Sequence, residues 1–167
     1  FGFAADLDAR GAKLGRKPRP DTLEPVTLKI YEHSQRITPA GLLASPGLLT
    51  TLRRPLGQLM AKHDIWLSPT TAHVAEPHGI YNQGRADLST EEWLVLGDGA
   101  VQFCFPHNIM GTPAISLPLA MHSSGLPIGV QLGARPAQEH LLLQLAAMLE
   151  QEMPWKDRVA PLHVSRR

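Results

Sequence analysis

Residues 108–134 read NIMGTPAISLPLAMHSSGLPIGVQLGA, two short apolar runs fenced by prolines around a His-Ser-Ser-Gly turn. In the first run the bulky residues are Ile115, Leu117 and Leu119; in the second they are Ile128, Val130 and Leu132. A period of two sends successive side chains to opposite faces of a strand, so each run reads as a strand with one bulky face. The opposite faces are small or polar, with Ala114 and Ser116 in the first strand and Gly129, Gln131 and Gly133 in the second. The pair predicts a hairpin. Glycine weakens a strand interior unless something must approach the backbone closely, so a helix or another strand is expected against Gly129 and Gly133. Pro113, Pro118 and Pro127 cannot donate ladder hydrogen bonds and belong at strand ends, edges or bulges. Ser123, Ser124 and Gly125 at the tip are turn formers. A nucleophilic reading of His122 with these serines needs a base within hydrogen-bond reach and an orienting third group, and adjacent His and Ser side chains in an extended turn are expected to point apart.

Outward from the hairpin, residues 4–14 look helical and stop at Gly15 and the run RKPRP. Asp21 and Glu24 have capping-box spacing ahead of Pro25, with Val26 and Ile30 opening an apolar stripe. Thr38 before Pro39 starts the next helix, whose stripe Leu49, Leu52, Leu56 and Leu59 predicts a buried face. Pro46 and Pro55 predict a kink there or two shorter helices. DIWLSPTTA reads as a strand ending at Pro69, followed by a loop. Ser89 and Glu92 form a capping box with a Leu88–Trp93 staple, and Gly97 with Gly99 should bend or end that helix. A last helix is expected over 137–151, with Leu141, Leu142, Leu145, Met148 and Leu149 on one side and Pro154 as its stop. Strands mixed with several helices and no dividing linker predict one domain over 1–167, of α/β or α+β class.

The chain has 167 residues, 43% hydrophobic and 19% charged, a globular balance. A net charge of +1 offers no basic footprint for nucleic acid or an anionic membrane. No apolar run approaches the roughly 18–20 residues of a membrane span. Cys104 is the only cysteine, which excludes an internal disulfide and makes a reducing cytoplasm the default. Flanked by Phe103 and Phe105, it is expected buried and unreactive. His73 and His78 lack the spacing and partners of a zinc site, and neither a phosphate-binding glycine loop nor a G-x-S-x-G elbow is present. No metal, cofactor or catalytic residue is assigned. The chain opens on Phe1 rather than methionine, as a piece of a longer protein would.

The hairpin, with FCFPHN before it and EHLLLQLAAMLEQEMPW after it, resembles the C-terminal part of amidase-signature enzymes. Their pattern F-x-x-P-x-N-x-x-G-x-P-A-x-S-x-P, then G-L-P-x-G-V-Q and a closing P-W, is met at Phe103, Pro106, Asn108, Gly111, Pro113, Ala114, Ser116 and Pro118. It is met again at Gly125, Leu126, Pro127, Gly129, Val130, Gln131, Pro154 and Trp155. Within the family the chain most resembles the branch that contains 6-aminohexanoate cyclic-dimer hydrolases and similar amidases. The resemblance implies an α/β fold, a mixed sheet flanked by helices, cut from a larger domain whose N-terminal catalytic part is absent. It also implies carboxamide hydrolysis by a Ser-Ser-Lys triad needing no cofactor. That triad lies in a Gly/Ser-rich signature this chain lacks, and Lys13, Lys17, Lys29, Lys62 and Lys156 match none of its motifs. The isolated chain is therefore expected to be inactive, its partners being a small amide substrate and the missing N-terminal part. Members that use glutamine as ammonia donor carry an acid seven positions before the asparagine; here Val101 stands there, which disfavours a glutamine amidotransferase of the A type. Phe103, Phe105 and Asn108 are candidates for the substrate-side wall, with core packing and a helix cap at Asn108 as the alternative. Another alternative is a non-catalytic module that binds a partner or a second copy of itself.

Overall fold

The computed structural model describes residues 2–160 and 162–164. In chain order it contains α1 (Gly2–Leu14), α2 (Pro25–Gln35), α3 (Pro39–Met60), β1 (Trp66–Pro69), α4 (Thr90–Val101) and α5 (Phe105–Met110), then β2 (Ala114–Met121), β3 (Pro127–Gly133) and α6 (Glu139–Glu152). The chain divides into two compact units: residues up to Leu52 with Ala75–Ala100, and Arg53–Val74 with the chain from Val101 on.

In the first unit α1 packs on α2, and the Tyr31 hydroxyl donates to Asp8 Oδ1 at 2.7 Å. Ala4 and Val26 are buried. Lys29 Nζ donates to the carbonyls of Ala86 (2.7 Å) and Leu88 (2.5 Å), which ties the loop ahead of α4 to α2. The capping box at α4 forms as expected: Ser89 N–H donates to Glu92 Oε2 at 2.8 Å, and Glu92 N–H to Ser89 Oγ at 3.1 Å. The expected box at Asp21 and Glu24 does not form. Thr22 N–H and Leu23 N–H both donate to Arg19 O, closing a turn there, and Asp21 pairs with Arg19 at 3.0 Å. Glu24 then stands as the N-cap of α2 without a side-chain cap bond, and Pro25 opens the helix.

α3 excludes one of the two outcomes expected at its prolines and corrects the expected leucine face. Thr38 Oγ1 accepts Gly41 N–H at 3.1 Å and starts the helix, but the helix runs on through Pro46 and Pro55 and does not split into two. A proline removes one hydrogen bond and crowds the preceding turn, but a 22-residue helix keeps enough of the others to continue. The leucine stripe is not a buried face: Leu52 is 44% and Leu59 48% exposed. Likewise α4 continues past Gly97 and Gly99 to Val101, because helical glycine costs only about 1 kcal/mol relative to alanine.

The second unit is built on the hairpin. The sheet order is β1-β3-β2, with both pairings antiparallel. Ile115 faces Leu132 and Leu117 faces Val130 on one side, while Ala114 faces Gly133 and Ser116 faces Gln131 on the other. The register slips between Leu117 and Ala120, where Pro118 stands, and the Pro118 carbonyl accepts from Arg158 Nη1 at 2.9 Å. At the tip, Gly125 has φ of 82°, its N–H donates to His122 O at 2.9 Å, and Ser124 Oγ bonds His122 Nδ1 at 2.8 Å. The tip is a turn, as expected, but His122 and Ser124 bond each other rather than point apart, because the Ser124 N–H also donates to His122 Nδ1 and draws the two together. Leu117, Leu132, Ala134 and Leu142 form the core, joined by Ile115, Leu119, Leu145, Leu149 and Trp155. α6 lies on the bulky face. Its Met148, expected in the buried stripe, is exposed, because Leu142, Leu145 and Leu149 already fill the side of α6 turned to the sheet.

Candidate functional site

The small face of β3 gathers the polar groups of the second unit. Gln131 is buried, and its Nε2 donates to Phe103 O at 2.8 Å and to Ser68 Oγ at 3.3 Å. Its Oε1 lies 3.3 Å from Cys104 Sγ, which is also 3.2 Å from Thr70 O. One S–H proton serves one acceptor at a time. The thiol is half-buried rather than fully buried, its two acceptors being Gln131 on the polar face of β3 and Thr70 just past the end of β1. Beside it, Thr70 Oγ1 bonds Ser116 Oγ, and both crowd Gly129, where a methyl group would come within 2.7 Å of Thr70 Oγ1.

Gly133 answers the question the sequence raised. The His107 ring lies directly on its backbone, so a Cβ there would overlap the imidazole, with Nε2 only 2.6 Å away. His107 is buried, Nδ1 bonds Thr112 Oγ1 at 2.8 Å, and the ring of Trp66 sits 5.2 Å off at 50°. Its Nε2 has no hydrogen-bond partner among the described residues. Burial lowers the His107 pKa below the ordinary 6.5, so the ring is neutral at neutral pH. α5 is thus fixed to β3 by Gln131 at its entrance and by His107 in its middle.

That placement decides where the candidate wall residues stand. Phe103 is half-buried with its carbonyl held by Gln131; Phe105 opens α5 and is 53% exposed; Asn108 lies within α5, exposed. Asn108 is not the helix cap, a place Gly111 takes. The sequence reading missed Gln131 and His107 as anchors. The available signal was the glycine on the same strand face, which implied a close neighbour without naming it. Val101 ends α4 and is partly exposed. His73 and His122 line one cleft of about 430 Å³ with Pro69 and Ile128. Among the described residues no three His, Cys, Asp or Glu side chains could hold a metal ion together. No described helix is long and apolar enough to cross a membrane.

The sequence pattern that defines the Amidase family matches residues 6–143. The 6-aminohexanoate-cyclic-dimer hydrolase of Paenarthrobacter ureafaciens is 32% identical over 164 residues, which cover 93% of this chain and 32% of that protein. Fatty acid amide hydrolase of Medicago truncatula is 30% identical over 145 residues, 86% of this chain and 21% of that protein. A solved structure of 6-aminohexanoate cyclic dimer hydrolase superposes with a TM-score of 0.76 at 28% identity, covering 92% of this chain and 32% of the other. The chain spans about a third of the length, or less, of the curated relatives it matches. Pattern, sequence and fold agree, and the chain belongs to the amidase family.

Proposed function

We propose that the chain is the C-terminal portion of an amidase that hydrolyses carboxamide C–N bonds, its Ser-Ser-Lys triad lying in a preceding N-terminal portion of the same fold. The observation that carries this reading is the dense match from Phe103 to Gln131 in a chain about a third the length of its relatives. In such a reaction the lysine, through the bridging serine, takes the proton of the nucleophilic serine as its Oγ attacks the amide carbon. The amine leaves with that proton, and water then releases the carboxylate from the acyl-enzyme. The part of this chain is to carry the sheet and hold α5, so that Phe103, Phe105 and Asn108 face the substrate.

Val101 supports an amidase over a glutamine amidotransferase, since an ammonium group brought out of water without a carboxylate partner is costly. The reaction needs no metal or organic cofactor, and the lone thiol of Cys104 suits a reducing cytoplasm. The open outer edges of β1 and β2 favour a second reading, a module that pairs with a partner chain or a second copy, and the two are compatible. Assay of the purified chain against simple aliphatic amides tests the first: no turnover above an empty-vector preparation is expected, and turnover surviving stringent purification overturns it. Native mass measurement tests the second, and a clean monomer removes its motive.

A further inference from the structure

A cleft of about 250 Å³ opens in the second unit between the C-terminal half of α3, the loop after α5 and the loop after β3. It is smaller than the roughly 300–1,000 Å³ of sites for drug-sized ligands. Arg53, Thr112 and Arg135 line it together with Met60, Met110 and Pro136, and no carboxylate does. Arg53 commits its Nε–H to Ile109 O at 2.6 Å. That bond fixes the plane of the guanidinium and leaves its terminal N–H groups with no acceptor among the described residues. Arg135 pairs with Asp64 at a long 3.6 Å, and the Asp64 carboxylate is 83% exposed; such a solvent pair yields easily to a better one. Thr112 Oγ1 bonds Nδ1 of the neutral, buried His107. When that nitrogen carries the ring proton, the Thr112 hydroxyl proton is free for the cleft.

We infer that this cleft binds a short aliphatic carboxylate, its oxygens on the guanidinium forks of Arg53 and Arg135 and the Thr112 hydroxyl, its chain against Met60, Met110 and Pro136. Two planar forks match a carboxylate in geometry as well as charge. A bare inorganic anion would leave the thioethers and the proline ring without a partner, and an uncharged alkyl group would leave the two exposed guanidinium ions paired with water alone. Hydrolysis of a carboxamide releases a carboxylate of this class, yet the inference stands on the cleft alone and survives failure of the amidase reading.

Calorimetric titration of the purified chain with hexanoate tests it, with hexanamide and inorganic phosphate as comparison ligands. Saturable binding of hexanoate is expected, at least about tenfold tighter than either comparison ligand, the factor that one lost charge-assisted contact costs. Arg53→Gln and Arg135→Gln, checked for native circular dichroism, should each weaken hexanoate by a similar factor. Absence of saturable binding, equal binding of hexanamide or phosphate, or unchanged affinity in folded variants would each overturn the site. If a variant does not fold, the ligand series on the unaltered chain decides the matter.

Discussion

Leu132 and Gln131 are neighbours in β3 and equally hidden, 2% and 4% exposed, but their surroundings differ in kind. Leu132 faces Leu117, Ala134 and Leu142, a cluster held by area and shape. Gln131 faces Ser68, Phe103 O and the Cys104 thiol, and each contact needs one donor aimed at one acceptor. The apolar face fixes that the unit folds; the polar face fixes where α5 sits. A volume-conserving change is tolerated on the first, whereas the second responds to single atoms.

The largest effect should come from a charge on the apolar face. Leu132→Asp puts a carboxylate among Leu117, Ala134 and Leu142 and is expected to prevent folding, read as loss of the cooperative thermal transition. A variant that melts normally would show that the cluster is not the core. Gly133→Ala probes the other face with one methyl group. It drives Cβ into the His107 ring and is expected to cost about 1–3 kcal/mol, as overpacking does. His107→Ala in the same chain should recover part of that loss, because it removes the obstructing ring. A double variant no better than the single would break the proposed contact.

A pH titration sharpens the comparison further. Burial holds the His107 pKa below its unfolded value of 6.5, so the unfolded chain binds the proton first as the pH falls. Its contribution to stability is therefore full above about 6.5 and lost as the pH drops from there towards the lower folded value. Chemical denaturation between pH 7.5 and 5 should show a slope that flattens in His107→Gln. An unchanged slope would assign the acid sensitivity elsewhere. The smallest effect is expected at the hairpin tip: Ser123→Ala with Ser124→Ala should change stability by less than about 1 kcal/mol, as at most exposed sites. Loss of amidase activity in a normally folded full-length enzyme carrying both would mean the tip does more than turn the chain.

The two faces were not equally legible. Alternation revealed the bulky face of the hairpin, because a period of two is a local property, and Ser123, Ser124 and Gly125 marked its turn. The Ser89–Glu92 box was legible for the same reason, its partners being three residues apart. The polar face depends on contacts that span sequence: Gln131 with Phe103, His107 with Gly133, Arg53 with Ile109. Spacing announced a close approach at Gly133 but not the side chain making it. α3 misled for the opposite reason, since a leucine stripe reports what a helix could bury and not whether a partner is there. The apolar faces left open on α3 and at Leu67 in β1 agree with a chain that spans only part of its relatives' fold.

In the proposed enzyme this chain supplies scaffold and substrate wall but not the reacting groups. The most direct test is amide hydrolysis by the chain co-expressed with the preceding part, roughly two thirds, of 6-aminohexanoate-cyclic-dimer hydrolase. No turnover is expected from either piece alone, and measurable hydrolysis from the co-purified pair. Turnover by this chain alone, or a stable stoichiometric pair with no activity at all, would contradict it.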